Sequence, residues 1–67
     1  MQIPDKLLKK WEALRSPEDT AKIAEKANTT TATIRNAWKD KYCSDSVFTA
    51  MASFYNQKAE FLKEFIS

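Results

Sequence analysis

No glycine occurs anywhere in this chain of 67 residues, and its two prolines, Pro4 and Pro17, each stand near the start of a segment. Without glycine no Gly-rich phosphate-cradling loop can form. Prolines placed at first-turn positions open helices rather than break them. The chain is therefore expected to be all-α. Any turn that needs a left-handed backbone must use a residue such as asparagine, whose side chain tolerates that region.

Apolar residues recur at helical spacing throughout. Pro4 opens the first predicted helix, in which Leu7, Leu8, Trp11 and Leu14 form the inward stripe. Ser16 as N-cap, Pro17 at the first helical position and Asp19 three after the cap start the second, a variant of the capping box. Its stripe is Ile23, Ala24 and Ala27. The third helix is expected from about Thr31 to Lys41 on Ile34, Ala37 and Trp38, with Lys39 and Lys41 in its last turn, where the helix dipole favours cations. Ser44 then caps a fourth, with Cys43 before it placed to pack on Phe48. Val47, Phe48, Met51, Phe54 and Tyr55 carry its stripe, and Phe61, Leu62, Phe65 and Ile66 continue it. Unbroken from Ser44 to Ile66, that helix is about 34 Å long at about 1.5 Å per residue.

Composition narrows the function classes. Cys43 is the one cysteine and there is no histidine, which excludes an internal disulfide, Cys–His zinc patterns and a histidine-activated thiol. No cofactor or metal is expected, the carboxylates do not pair in an obvious cleft, and an enzyme acting on a small-molecule substrate is not expected. No run reaches the ~20 apolar residues of a membrane span, and no apolar stretch follows the early lysines as in a secretory signal. A reducing, cytoplasmic setting follows as the expectation. The net charge is +2, and its positive excess lies in the first two thirds: residues 1–17 carry four basic and two acidic groups, residues 18–41 five and four, and residues 42–67 two and three. Such a balance suits a weakly basic binding face.

Residues 20–39, TAKIAEKANTTTATIRNAWK, form one unit. An aliphatic residue precedes a small one (Ile23–Ala24), and another small residue follows three later (Ala27). A turn residue comes next (Asn28), then an aliphatic six positions on (Ile34) and an apolar residue three beyond (Ala37). This pattern resembles the helix-turn-helix of the lambda-repressor and Cro-type regulators, XRE-like proteins. The turn residue in that family is most often glycine, so Asn28 is expected at positive φ. Thr29 also departs, standing where an apolar residue is commoner. The resemblance covers roughly residues 4–56 and implies a compact four- to five-helix domain with a long C-terminal helix. Residues 1–56 would be the DNA-binding domain and residues 57–67 a C-terminal extension.

The resemblance implies that the helix after the turn lies in the major groove of double-stranded DNA. Thr30 would cap it. Thr31, Ala32, Arg35 and Asn36, on the face away from Ile34, Ala37 and Trp38, become the base-reading candidates. Arg35 suits guanine O6 and N7, and Asn36 suits adenine N6 and N7. Ala32 suits a thymine methyl, and Thr31 a base or phosphate. Thr20, Thr30, Lys39 and Lys41 become the phosphate candidates, which set register rather than sequence. Thr20 stands where the family often has a glutamine. Family members usually bind palindromes as two-fold dimers, and Tyr55, Phe61, Leu62, Phe65 and Ile66 are the expected dimer interface; the alternative is that residues 57–67 fold back as a fifth helix. The reading is a small transcriptional repressor of the phage or mobile-element kind, a homodimer on the DNA of a prokaryotic or phage-infected cell. The alternative, kept open by the modest charge and by Glu18, Asp19 and Glu25, is a protein-interaction module of the same fold without DNA binding.

Overall fold

The protein, described by a computed structural model over residues 1–66 with side chains through Lys63, is all-α. Its helices are α1 (Asp5–Leu14), α2 (Asp19–Lys26), α3 (Thr31–Asp40) and α4 (Asp45–Ile66). Among the described residues no helix is long and apolar enough to cross a membrane.

Local chemistry explains most of the helix ends. Pro4, at φ −59°, precedes α1, and its carbonyl accepts the N–H groups of Leu7 and Leu8 at 3.0 and 3.1 Å. At the end of α2 the Thr29 N–H reaches the Ala24 carbonyl at 2.9 Å and the Asn28 N–H reaches that of Glu25 at 3.1 Å. This is the paired closure of a Schellman turn, which needs a left-handed residue between helix and exit. Asn28 supplies it at φ 56°, as the missing glycine led us to expect. Asn28→Ala should cost about 1 kcal/mol, the steric penalty of a Cβ-bearing residue without asparagine's local hydrogen bonding, while Asn28→Gly should be neutral or stabilising. Urea melts of the two variants check this, and an alanine variant as stable as wild type would contradict it.

The Thr30 hydroxyl then caps α3, accepting the Thr33 N–H at 3.4 Å and lying 3.1 Å from the Thr33 hydroxyl. Ser44 caps α4 in the same manner, its Oγ accepting the Val47 N–H at 3.4 Å. From there α4 runs unbroken to Ile66, so residues 57–66 extend the helix and do not fold back as a fifth. Its 22 residues make about 33 Å at about 1.5 Å per residue, close to the molecule's longest extent of 34 Å.

Three expectations need correction. The second helix begins at Asp19 rather than Pro17, and its capping box closes in one direction only. The Asp19 carboxylate accepts the Ser16 N–H at 2.9 Å, but the Ser16 hydroxyl takes the Lys58 ammonium at 2.8 Å. The Asp19 N–H goes to the Ser16 backbone carbonyl, at 3.1 Å. Lys41 lies beyond α3, itself left-handed at φ 56°. There the chain reverses so that residues 41–43 pair with the N-terminal segment: Ile3 N–H to Lys41 O at 2.9 Å, Cys43 N–H to Met1 O at 3.0 Å and the Met1 amino group to Cys43 O at 2.7 Å. This pairing seats Ile3 in the core. Finally Tyr55, expected at a dimer surface, is 1 % exposed. Its ring stacks on Trp11 at 5.7 Å and meets the Trp38 edge at 6.0 Å, while Trp11 also packs on Phe48 at 5.8 Å. It belongs to the core and has no surface to offer a second chain.

The core joins these aromatics to Leu8, Ile23, Ile34, Val47 and Met51. Layering follows from it. α1 and α2 both pack on α4, and α3 packs chiefly on α2. The third helix is thus carried mainly by α2.

Candidate nucleic-acid interface

The outer face of α3 is built by exclusion. Ile34 and Ala37 are buried and Trp38 is half-buried, which turns Ala32, Arg35, Asn36 and Lys39 outward. Their three- and four-residue spacing makes one continuous stripe. Thr31 is exposed beside it, and Thr30 stands exposed at its N-terminal end. The four base-reading candidates are therefore together on one uncovered face with a cation at its far end, while Asp40 closes the helix.

The other phosphate candidates are less well placed. Thr20 is 9 % exposed, so little of it meets solvent. The Lys41 ammonium lies 3.9 Å from an Asp5 carboxylate oxygen, with both side chains mostly exposed, a pair of little energetic weight. Lys22 and Lys26, exposed one turn apart on α2, were not singled out from the sequence. Their signal is plain in retrospect: they are basic positions on the helix that carries α3, on the side away from Ile23 and Ala24.

A polar junction lies behind this face. Asp19 is 3 % exposed, and its Oδ2 accepts the Lys58 ammonium at 2.7 Å and the Ser16 N–H at 2.9 Å. Burial alone would raise the Asp19 pKa, but these donors together outweigh it and hold the carboxyl below its ordinary value of 3.8. Tyr55 is pushed the other way, first by burial and then by the nearby Asp19 charge. Its hydroxyl has no hydrogen-bond partner among the described residues, so Asp19 acts on it as a nearby charge. Beside the junction the Arg15 guanidinium lies over the Trp38 ring, 4.6 Å from its centroid. Of the three acids that keep the interaction-module reading open, Glu18 and Glu25 are exposed and Asp19 is buried.

These two shifts bound a pH window. The unfolded carboxyl takes its proton first, so the contribution of Asp19 is present above pH 3.8 and is lost as pH falls through the lower folded value. The unfolded phenol ionises first at 10.0, so the contribution of Tyr55 is lost as pH rises beyond that. Unfolding free energy measured against pH should therefore plateau between these limits. Tyr55→Phe should flatten the alkaline fall, and an unchanged fall would remove Tyr55 as its source.

At the far end of α4, Phe61 is 65 % exposed and Leu62 is half-buried. The side chains of Phe65 and Ile66, also expected in a dimer interface, lie outside the described residues. Cys43 is buried, and that burial pushes its thiol pKa up. No group of three or more His, Cys, Asp or Glu side chains able to hold a metal ion occurs among the described residues.

No protein-family model, curated protein or solved structure matches the chain.

Proposed function

We propose that the chain is a small sequence-specific regulator that binds double-stranded DNA, with α2 and α3 as a helix-turn-helix of the lambda-repressor and Cro type. The observation that carries this reading is the uncovered face of α3, where Arg35 and Asn36 stand side by side on a helix whose other face is buried against α2. In a major groove, Arg35 donates two hydrogen bonds to guanine and Asn36 exchanges a donor and an acceptor with adenine. Ala32 meets a thymine methyl. Thr30, Thr31 and Lys39, with Lys22 and Lys26 from α2, contact phosphates and fix the register. A homodimer joined through Phe61, Leu62 and the residues after them would set two such helices about 34 Å apart, on successive turns of the duplex. Occupancy of its operator would then regulate transcription, as in a compact repressor.

Selection of binding sites from random duplex DNA tests this. The expected result is an enriched palindrome whose affinity falls steeply with added salt, through counterion release. No enriched sequence would overturn the reading. A second reading, a protein-interaction module without DNA binding, draws on Glu18 and Glu25, which interleave with Lys22 and Lys26 on the exposed side of α2. Equal, weak and non-selective binding to all duplexes would favour it.

A further inference from the structure

Lys58 lies on α4, away from the proposed reading face, but it bonds the element that carries that face. α3 is held chiefly by α2, beside one ring contact of Trp38 with Tyr55 of α4, so its attitude depends on where α2 is seated on α4. Most of that seat is apolar, through Ile23 and Ala24 against the α4 stripe. Apolar burial is itself non-directional. The directional part is the Lys58 ammonium, 2.7 Å from Asp19 at the first position of α2 and 2.8 Å from the Ser16 hydroxyl just before it. A charge-assisted bond between groups 22 % and 4 % exposed fixes both distance and direction. The same short connector carries Arg15, whose guanidinium stacks on Trp38 of α3. Residues 15–19 are thus gripped by α4 at one end and lie against α3 at the other.

From this geometry we infer that Lys58 is a positioning residue for DNA recognition: by clamping Asp19 and Ser16 it sets the attitude in which α3 presents Arg35 and Asn36. The inference rests on the DNA-reading assignment of α3. A buried ion pair contributes little net stability over an apolar replacement, and selecting one arrangement among several is a use to which such pairs are put. The clamp therefore acts on specificity more than on folding.

The test uses the full chain and the variants Lys58→Arg and Asp19→Asn/Lys58→Met, the latter removing both charges together. Two quantities are read on protein that circular dichroism shows to be folded: the backbone amide shifts of α3, and the ratio of affinity for the selected site to affinity for random duplex. In the double variant the amides of Thr31 to Lys39 should move, and the ratio should fall about tenfold, the share of roughly one bidentate base contact. Lys58→Arg, which keeps a cation able to reach both partners, should restore both. Unmoved α3 amides with an unchanged ratio would overturn the proposal, because a role in stability alone changes the folded fraction and neither readout. If wild type shows no site preference, the DNA reading fails by itself, and the amide shifts still decide whether Lys58 positions α3. Should the double variant not fold, Asp19→Asn/Lys58→Gln, which also leaves no unpaired charge and keeps both groups polar, is read in the same way.

Discussion

Trp11→Ala should leave the chain largely unfolded at 25 °C. Trp11 is 2 % exposed and packs on both Tyr55 and Phe48, so truncation removes the centre of the aromatic cluster. Emptying such a site costs about 3–5 kcal/mol. A single hydrophobic core in a chain below about 70–80 residues rarely supplies more than about 3–5 kcal/mol, so this loss is of the order of the whole. Loss of the cooperative urea transition, or a midpoint near zero denaturant, is the expected outcome. Trp11→Phe keeps a ring in the stack and should retain a cooperative transition at lower denaturant. A Trp11→Ala protein within about 1 kcal/mol of wild type would mean that the core is not organised around this stack.

On the proposed DNA-reading assignment, Arg35→Ala should lower affinity for the selected operator by about five- to 150-fold, the range of about 1–3 kcal/mol for a bidentate arginine–guanine contact. The side chain is exposed and no hydrogen bond or ion pair of it is described within the fold, so the melting curve should shift little. Base preference should relax at the position Arg35 reads and persist elsewhere. Lys39→Ala offers the contrast, weakening all duplexes alike and reducing the salt slope by about one. Unaltered affinity and an unaltered base profile for Arg35→Ala would take that residue out of the interface.

What the sequence made legible was short-range. The Thr30 and Ser44 caps join a hydroxyl to an amide three residues on, and Asn28 is left-handed because α2 must end within its own last turn. The α3 stripe likewise follows from spacing within ten residues. What stayed hidden was long-range. Asp19 reads as an ordinary first-turn acid because nothing near it in sequence reveals a lysine 39 positions away. Tyr55 reads as part of one apolar stripe running down α4, and periodicity cannot tell which half of a straight helix the other helices cover. The N-terminal pairing with residues 41–43 leaves no mark in residues 1–3 beyond an isoleucine before a proline. The base-reading candidates were legible as a face, since a helix anchored on one side must show the other.

The ion pair between Asp19 and Lys58 also shapes how this chain can diverge. Either substitution alone leaves an unpaired charge in a nearly closed site, a change that selection on folding would remove. Joint replacement by two neutral residues keeps the site filled without an unpaired charge, whereas an exchange of the two charges would set a cation at the start of α2, against the Ser16 N–H. Descendants of this chain should therefore change the two positions in concert, even as the exposed residues of α3 vary one at a time.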